Sequence, residues 1–550
     1  MLSRVCPPGT GKLRAWAALC FGAALAAAAQ EGSPFSKGPY LQVPAPKTVA
    51  VLWESPSDHP GLVRFGRDGQ LDRTVAPVTA RPITGVSGTL ATDADASATA
   101  WLSTRRETNV FYLYSATLKG LKPGATYSYT VELDGTQTPP RRFRTLNPKA
   151  RSVRFIAYGD DRTHPEIHAA LTRRFLDYQP EFILHNGDLV ARGDDYALWS
   201  REFFGPLAHV IDQVPIFPII GNHEHDCTNY LALLDLPGRK RWYSFDAGPV
   251  HVLGLDFHYE KATDEQFQFA RRDLLASRAP WKIVFLHPPV FNVGGHASAW
   301  GHESYLPLFH QAKVDLVLAG HSHLYERFRP LASAAHPSEW PITYATTGGG
   351  GAPLHVSLPN PALVVYEAVH HFMVFEATRD TLHGEAIRDD GSLLDRFEIR
   401  KVHRRPAQEY LAQVYPEESV ELAVETMPSL AGQAAALPGR NEAAPVLLRV
   451  APRKNGAPPA ALEISLTPES AMNYELENGP LRVTTPDPGA PASVWAKVRA
   501  TGPAKVTQDK NHNLSPPLLF QANVKAADGE TTAYGAKSRL SSDAAEAAKK

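Results

Sequence analysis

Cysteine is scarce in this sequence, which has only three cysteines among 550 residues. Cys6 and Cys20 fall within the first 29 residues, and the third is Cys227. If those first residues are a cleaved leader, Cys227 remains alone and an internal disulfide is excluded. A structural zinc held by several thiolates is disfavoured on the same ground.

An excess of either charge is also lacking. The chain has 56 Lys and Arg residues and 57 Asp and Glu residues, which gives a formal net charge of −1. A chain so balanced has no overall field that would recruit nucleic acid or an acidic membrane. We therefore expect no nucleic-acid partner, and any function must lie in local constellations of residues.

Long apolar runs are lacking as well, apart from one near the start. Arg4, Lys12 and Arg14 precede the apolar run 15–29, which ends in three alanines. This pattern predicts a cleaved signal peptide over residues 1–29. An uncleaved anchor is the alternative, but the run is short against the roughly 20 residues that a membrane span needs. We expect no stable membrane span and a secreted or periplasmic protein, and export without disulfides favours a bacterial envelope.

What the sequence does contain is a series of polar clusters, each directly after a short apolar or β-branched run. The clusters are Gly159-Asp160-Asp161-Arg162, Asn186-Gly187-Asp188, Gly221-Asn222-His223-Glu224, the lone His287, and Gly320-His321-Ser322-His323. Runs this short, bounded by glycine, are typical of buried strands. In a layered α/β fold, the loops at the carboxyl ends of such strands meet in one crevice. Carboxylates, an amide and several imidazoles would therefore converge.

These residue types suit a pair of divalent cations. Two cations about 3.5–4 Å apart need hard oxygen and nitrogen ligands and a bridging anion, and a carboxylate such as Asp188 can bridge them. Water held by such ions ionises near neutral pH, with a pKa of about 7 against 15.7 in bulk water. The same ions attract phosphate oxygens, so the pattern predicts an in-line displacement at phosphorus.

Taken together, the clusters resemble the calcineurin-like metallophosphoesterases, and specifically the purple acid phosphatase branch. The sequence GHSHLYER at 320–327 is especially similar to that branch. The resemblance covers about residues 38–399 and implies two divalent metal ions, of which Fe, Mn or Zn are the expected identities. It implies the following ligands: Asp160 and His323 on the first metal, Asn222, His287 and His321 on the second, and Asp188 bridging. It further implies that His223 contacts a phosphate ester substrate and protonates its leaving group.

Two positions depart from that branch. Where it has an aromatic ligand, three places after the bridging carboxylate, this chain has Ala191; Arg162 replaces a glycine or a ligating histidine. We expect either a divalent pair with water completing the first shell or a weaker, exchangeable first metal. A guanidinium is a fork of donors suited to phosphate oxygens, so Arg162 is predicted to bind substrate. The alternative is a surface ion pair with Asp161.

For other polar residues near the clusters, the sequence allows more than one role. His296, in the loop after His287, is predicted to contact substrate, the alternative being a solvated loop residue. His164 and His168 lie one turn apart on a predicted helix, and such pairs are more often solvated than ligating. The glycine run 348–351 either lets the backbone approach the crevice or forms a plain flexible turn.

The length suggests three or four domains. We predict a multidomain α/β plus all-β protein. Its domains are a fibronectin III-like β-sandwich at 36–146, a central α/β metallophosphoesterase sandwich at 150–400, and a C-terminal β-rich domain at 417–540. The first would frame the crevice or act as a spacer. For the last, an adhesive, carbohydrate-binding or structural role stays open.

The function predicted from these residues is metal-dependent hydrolysis of phosphate esters, with metal-bound hydroxide attacking phosphorus and His223 assisting the leaving group. A phosphodiesterase or nucleotidase of the same family is the first alternative, because the motifs do not specify the leaving group. A degenerate, non-catalytic surface-binding protein is the second, and only Arg162 and Ala191 favour it.

Overall fold

The computed structural model describes most of the chain up to residue 401 and a set of β segments beyond it. The described residues are 33–89, 105–225, 227–237, 241–296, 298–331, 340–401, 420–426, 444–452, 461–471, 474–484, 492–501, 519–525 and 531–536. The predicted signal peptide lies outside these ranges. No helix in the described ranges is both long and apolar enough to cross a bilayer.

The first part of the chain is all-β, as predicted. Its strands are β1 Lys37–Ala45, β2 Thr48–Ser55, β3 Gly61–Arg67, β4 Arg73–Val78, β5 Ala80–Thr89, β6 Arg105–Lys119, β7 Thr126–Leu133, β8 Thr136–Gln137 and β9 Arg141–Arg144. They form a sheet in the order β1-β2-β6-β5 and a second sheet in the order β4-β3-β7-β8, with β9 also paired to β7. The stacked rings of Trp53 and Tyr114, with centroids 4.9 Å apart, lie in the core shared by the two sheets. Its assignment as fibronectin III-like stays a prediction.

The central domain contains two mixed sheets with helices between their strands. Its strands are β10 Ser152–Tyr158, β11 Phe182–His185, β12 Ile216–Pro218, β13 Tyr243–Ala247, β14 Val250–Gly254, β15 Trp281–Leu286, β16 Leu316–Ala319, β17 Tyr325–Phe328, β18 Thr343–Thr347, β19 Leu363–Glu367, β20 His371–Thr378, β21 Thr381–Arg388 and β22 Leu393–Arg400. Its α-helices are α1 Pro165–Thr172, α2 Tyr196–Leu198, α3 Gly205–Ile211, α4 Thr228–Leu233, α5 Glu265–Ala276 and α6 Tyr305–Gln311. A π-helical segment, Trp199–Phe204, joins α2 to α3, and 3₁₀ turns lie at Phe175–Tyr178 and Asn222–Glu224.

Parallel pairing brings the polar clusters to the same ends of their strands. One sheet has the order β12-β11-β10-β20-β21-β22, with β10, β11 and β12 parallel. The other has the order β13-β14-β15-β16-β18-β17-β19, with β14, β15, β16 and β18 parallel. Side chains from both sheets are fully buried in one hydrophobic core. Because strand ends define a common edge in parallel sheets, the loops after β10, β11, β12, β15 and β16 converge.

The N-terminal domain packs directly on the central domain, so it is more than a spacer. Tyr40 is buried in the core of the central domain, where its hydroxyl donates to the carbonyl of Leu233 at 2.5 Å. The amide of Gln42 donates to the carbonyl of Ile216 at 2.9 Å. Buried polar groups satisfied across the boundary favour one fixed arrangement of the two domains.

The described C-terminal segments are also β-rich. They are β23 Val420–Thr426, β24 Ala444–Pro452, β25 Ala461–Leu466, α7 Pro468–Ala471, β26 Tyr474–Leu476, β27 Leu481–Thr484, β28 Ala492–Ala500, β29 Phe520–Lys525 and β30 Thr531–Ala536. The strands form two four-stranded sheets, β23-β24-β28-β26 and β27-β25-β29-β30. Leu448 and Val498 from the first sheet share a core with Ile464 and Phe520 from the second.

Candidate metal centre

The six predicted metal ligands are brought together by five strand ends. Asp160 follows β10, Asp188 follows β11, Asn222 follows β12, His287 follows β15, and His321 and His323 follow β16. One carboxylate oxygen each from Asp160 and Asp188 and one ring nitrogen of His287 lie within 4.8 Å of one another. All three residues are buried. The clusters therefore converge as the sequence pattern predicts.

Several of these residues are held in an unfavourable backbone conformation. Asp160, Asp188 and His321 have φ angles of 59°, 57° and 65°, in the left-handed region that non-glycine residues seldom adopt. Such outliers persist only where surrounding contacts enforce them, and they concentrate at functional sites.

Glycines allow the ligand loops to approach one another. A Cβ built at Gly320 would lie closer than 3.0 Å to Oδ2 of Asp160, and a Cβ at Gly348 would lie 2.8 Å from the same oxygen. Gly350 N–H donates to the carbonyl of Gly159 at 2.9 Å, and Ala352 N–H donates to the carbonyl of Asp160 at 2.8 Å. The glycine run 348–351 thus wraps around the first ligand loop, and its interpretation as a plain flexible turn is wrong.

One group of donor atoms surrounds the amide oxygen of Asn222. Nε2 of His287 and Nδ1 of His321 each lie 2.9 Å from Asn222 Oδ1. Oδ1 of Asp188 lies 3.3 Å from Nε2 of His287. We call these four residues the second-metal group: Asp188, Asn222, His287 and His321.

The protonation of His287 shows why a cation suits this group. Nδ1–H of His287 donates to the carbonyl of Asn186 at 2.8 Å, which leaves the lone pair of Nε2 directed at Asn222 Oδ1. Burial lowers the pKa of His287, so the ring is neutral and has no second proton to share. Two acceptors facing each other at hydrogen-bond distance are unfavourable unless a cation lies between them. The donor set therefore fits a divalent metal ion.

The other ligands gather around Asp160. Nε2 of His323 lies 3.4 Å from Oδ1 of Asp160, and the backbone N–H of His321 donates to both oxygens of that carboxylate at 3.0 and 2.9 Å. Nδ1–H of His323 donates to the carbonyl of Pro353 at 2.6 Å, so its Nε2 lone pair faces the site. Together with the bridging residue they form the first-metal group: Asp160, Asp188 and His323.

Arg162 lies inside the first-metal group. Its Nε is 3.4 Å from Oδ2 of Asp188, and its side chain is 14% exposed. Asp161, its expected partner, faces the interior instead, where its Oδ1 accepts a hydrogen bond from Nε2 of His185 at 2.6 Å. The predicted surface ion pair between Arg162 and Asp161 is therefore wrong, because the chain turns these neighbouring side chains in opposite directions.

The buried Asp161 anchors the loop that carries Asp160. Besides His185, the ring of His168 approaches it, with Nδ1 2.7 Å from Oδ2 of Asp161. Burial by itself raises the pKa of Asp161, but the two histidines outweigh it and hold that pKa below the usual range. The expectation that His168 is solvated is wrong, since helix α1 turns it fully into the interior. His164 instead contacts the exposed Glu166 at 3.2 Å.

Glu224 fixes the backbone around Asp188, the predicted bridging carboxylate. It is buried and accepts hydrogen bonds from the backbone N–H groups of Gly221, Asp188 and Leu189 at 2.6, 2.9 and 2.8 Å. These bonds tie the loop after β11 to the loop after β12. Burial and the nearby Asp188 raise the pKa of Glu224 to about 8.

His223 stands beside the ligands with one nitrogen directed at the site. Its Nδ1–H donates to the carbonyl of Ala191 at 2.7 Å, and its backbone N–H donates to Oδ1 of Asp188 at 2.9 Å. Its Nε2 lies 3.9 Å from Oδ2 of Asp188. Burial, followed by the nearby Arg162, lowers the pKa of His223 to about 4. The ring is therefore held in one orientation, although its role toward substrate stays a prediction.

The pKa values of Asp160 and Asp188 are shifted in opposite directions. Burial and the neighbouring Asp188 raise the pKa of Asp160 well above its usual range. For Asp188 burial acts in the same direction, but His287, His223 and Arg162 prevail and depress its pKa. Burial lowers the pKa of His321 to about 3, so this ligand too is neutral and able to bind metal.

Two further histidines lie at the rim of the site. The ring of His296 has its centroid 4.9 Å from that of His321, so the loop after His287 does bring it to the centre as predicted. His355, which no sequence pattern indicates, stacks its ring on that of His323 with centroids 4.0 Å apart. Its Nδ1 accepts a hydrogen bond from the backbone N–H of His323 at 3.0 Å. It lies in an irregular stretch between β18 and β19, where no periodic pattern points to it.

Comparisons with known proteins identify the domains that contain these residues. Residues 159–325 match the model of the calcineurin-like phosphoesterase family, and residues 37–145 match the model of the purple acid phosphatase N-terminal domain. The chain therefore contains a calcineurin-like phosphoesterase domain preceded by a purple acid phosphatase N-terminal domain, which confirms the predicted resemblance. These two domains support a phosphoesterase enzyme.

Individual relatives support the same assignment. The chain is 27% identical over 323 residues to acid phosphatase type 7 of Mus musculus, covering 52% of this chain and 69% of the mouse protein. It is 29% identical over 260 residues to purple acid phosphatase 21 of Arabidopsis thaliana, covering 42% of this chain and 56% of the plant protein. The solved structure of purple acid phosphatase PPD1 from yellow lupin seeds superposes with a TM-score of 0.55 at 19% identity, covering 66% of this chain and 74% of that one. At that identity the structural match shows the fold alone.

Proposed function

We propose that this chain hydrolyses small phosphate esters with the help of divalent cations held at the ends of β10, β11, β12, β15 and β16. The observation that carries the proposal is the pair of facing acceptors, Nε2 of His287 and Oδ1 of Asn222, 2.9 Å apart. Neutral imidazoles and a bridging carboxylate are the donor set that such cations require. When bound, the cations supply Lewis-acid polarisation of phosphate oxygens and lower the pKa of a bound water.

Side chains of the protein would bridge the ligand groups, transfer a proton and bind the phosphate oxygens. Asp188 sits between the two ligand groups, where its Oδ1 lies 3.3 Å from Nε2 of His287 and its Oδ2 lies 3.4 Å from Nε of Arg162. His223, whose Nδ1–H donates to the carbonyl of Ala191, would give a proton from Nε2 to a departing alkoxide when its ring is doubly protonated, a state that the negative charge of a bound phosphate favours. His296 at the rim and Arg162 inside the site offer donors for the oxygens of a phosphate group.

Metal removal tests the proposal. The full chain is treated with a chelator until Fe, Mn and Zn fall below detection, and hydrolysis of 4-nitrophenyl phosphate is then measured before and after each metal is restored. We expect activity to be lost and then recovered with at least one of these metals, and to be lost in His287→Ala under every condition. Hydrolysis that continues at full rate in metal-free protein would refute the proposal.

The same assay distinguishes the predicted classes of ester. Bis(4-nitrophenyl) phosphate and a nucleoside monophosphate are compared with the simple monoester at equal metal loading. A preference for the monoester supports the phosphatase assignment, whereas a preference for the diester or nucleotide assigns the phosphodiesterase or nucleotidase alternative. Almost no bound metal together with no hydrolysis of any ester would favour a binding protein.

Export is a separate part of the proposal, and it rests on the basic residues and apolar run within residues 1–29. Expression of the full chain in a Gram-negative host, followed by fractionation, tests it. We expect the periplasmic form to begin near residue 30, and a cytoplasmic product of full mass would contradict the prediction.

A further inference from the structure

The two ligand groups of the metal centre are not equivalent, because one of them already contains a positive charge. We propose that this chain binds one divalent cation tightly, in the second-metal group, and uses the guanidinium of Arg162 as the second positive charge of the centre. This inference rests on the proposed function and narrows its metal requirement. It would make the enzyme a hydrolase with one metal ion and one arginine where two metal ions are expected.

The position of the Arg162 side chain carries the inference. Its three nitrogens face three partners: Nε lies 3.4 Å from Oδ2 of Asp188, an ion pair without a hydrogen bond, Nη1 donates to Oγ1 of Thr163 at 3.2 Å, and Nη2 lies 3.5 Å from Nε2 of His323. The side chain is 14% exposed, so these contacts are made away from bulk solvent. The guanidinium is therefore held among the first-metal group by its geometry and is not a surface charge folded over it.

The contact with His323 uses the electron pair that a metal would need. Because Nδ1–H of His323 donates to the carbonyl of Pro353 at 2.6 Å, Nε2 is the unprotonated nitrogen of that ring. A guanidinium has donors only, so Nη2 of Arg162 can approach Nε2 only by donating to it. The arginine thus takes one ligand of the first-metal group and also neutralises part of the charge on Asp188.

Residue 191 supplies no replacement ligand. Its side chain is a methyl group, its backbone N–H donates to Oε2 of Glu202 at 2.7 Å, and its carbonyl accepts from His223 at 2.7 Å. The first-metal group is left with the carboxylates of Asp160 and Asp188 and with an imidazole already bonded to Arg162. A divalent ion there would lie beside a permanent positive charge with few ligands.

The second-metal group has the opposite character. Its four residues contribute three neutral donors and one carboxylate, and the distances between their donor atoms are 2.9, 2.9 and 3.3 Å. Arg162 approaches this group at the far oxygen of Asp188, Oδ2. A cation in this group would be offered three neutral donors and one carboxylate, without competition from a guanidinium for their lone pairs.

Titration of metal-free full-length protein with Co²⁺ tests the proposal without relying on activity. Visible absorption and elemental analysis after gel filtration report how many ions are held and how tightly. We expect one tight equivalent in the wild type, and a second equivalent bound at least about tenfold more weakly. Asn222→Ala should lose the tight equivalent, whereas Asp160→Asn should keep it.

Substitution of the arginine provides the decisive comparison. Arg162→Met removes the charge at similar size and should tighten the second equivalent by about tenfold or more, whereas Arg162→Lys should not. Arg192→Met, which changes an arginine paired with Asp194 outside the centre, is the matched control and should bind one equivalent like the wild type. Thermal melting of each variant checks that it is folded.

The outcomes separate this inference from the proposed function. Two equally tight equivalents in the wild type, unchanged in Arg162→Met, would overturn the inference and leave metal-dependent hydrolysis standing. No bound Co²⁺ in any variant would overturn both. One tight equivalent that persists in Asn222→Ala but disappears in Asp160→Asn would place the metal in the first-metal group and also overturn the inference.

Discussion

Nζ of Lys37 lies 2.6 Å from Oε1 of Glu54, with both side chains buried at the boundary between the N-terminal and central domains. The hydroxyl of Tyr196, at the start of α2, donates to the other oxygen of the same carboxylate. The ammonium also lies 4.2 Å from the centroid of the Tyr196 ring, which stacks on Phe111. The two domains are thus joined by a buried triad, in which the hydroxyl of Tyr196 shares the carboxylate of the Lys37–Glu54 ion pair.

Breaking this triad is predicted to destabilise the chain strongly. Glu54→Ala leaves the Lys37 ammonium buried without its counter-charge, and such a change costs about 3–5 kcal/mol in comparable cases. Urea unfolding of the variant and of the wild type measures the difference. The control is Glu385→Ala, which removes the exposed pair of Glu385 with Arg396 and should cost about 0–1 kcal/mol. Equal losses in the two variants would show that the buried triad contributes nothing special.

His223→Ala is predicted to retain metal but to lose turnover in a way that depends on the leaving group. A general acid contributes about 10²–10⁴-fold when the leaving group needs a proton. We therefore expect a loss of that size for an alkyl phosphate and a much smaller one for 4-nitrophenyl phosphate, whose leaving group is stable as an anion. Initial rates on both esters, with metal content measured in parallel, check this.

The control for His223 is His383→Ala, because His383 lies on β21 with its side chain 48% exposed and pairs with Glu398. This variant should behave like the wild type on both esters. An equal loss on the alkyl and nitrophenyl esters in His223→Ala would instead assign His223 to positioning of the substrate.

Gly320→Ala is predicted to disturb the metal centre through a single methyl group. The added Cβ would lie closer than 3.0 Å to Oδ2 of Asp160, so the carboxylate must move. Changes just outside a metal site typically cost about 10–100-fold in metal affinity or activity, and we expect a loss in that range. In Gly135→Ala, a matched variant at a positive-φ glycine with open space around it, stability should fall while metal binding and activity stay normal. Normal metal affinity in Gly320→Ala would show that the loop adapts.

The positions of the metal ligands could be predicted from the sequence because they depend on local rules. A polar residue directly after a short buried strand lies at a strand end, and parallel strands bring such ends together. Asp160, Asn222 and His287 are therefore placed by chain connectivity alone, before any side-chain packing is considered. Their assignment to particular metal ions stays a prediction.

The contacts of Arg162, His168 and His355 could not be predicted, because they depend on packing between distant segments. Arg162 reaches Asp188 and His323 only because the loops after β10, β11 and β16 are in contact. His168 is buried because α1 packs with that face inward, which its own sequence does not specify. His355 lies in an irregular loop whose path is determined by the backbone bonds between His323 and His355.

The stability of the chain is predicted to depend on pH through a histidine far from the metal centre. His251 on β14 lies opposite Asp246 on β13, and its Nδ1 and Nε2 lie 2.8 Å from carboxylate oxygens of Asp246 and of Asp273 on α5, respectively. Burial by itself lowers the pKa of His251, but the two carboxylates outweigh it and raise that pKa to about 9. Both ring nitrogens can donate only when the ring is protonated.

The direction of the pH effect depends on how the pKa of His251 differs between the folded and unfolded states. Since the folded-state pKa is above the unfolded value of about 6.5, the stabilisation is fully present below about pH 6.5 and is lost as the pH rises through about 9. The upper limit of this stabilisation is about 3 kcal/mol. The actual value is lower, because Asp246 is largely exposed and solvent screens its interaction with His251. Urea unfolding of the wild type and of His251→Gln at pH 6.0 and pH 9.5 measures it. We expect the wild type to be more stable at pH 6.0 and the gap to narrow at pH 9.5, because only the wild type loses a charged histidine over that interval. A gap of the same size at both pH values would mean that folding does not raise the pKa of His251.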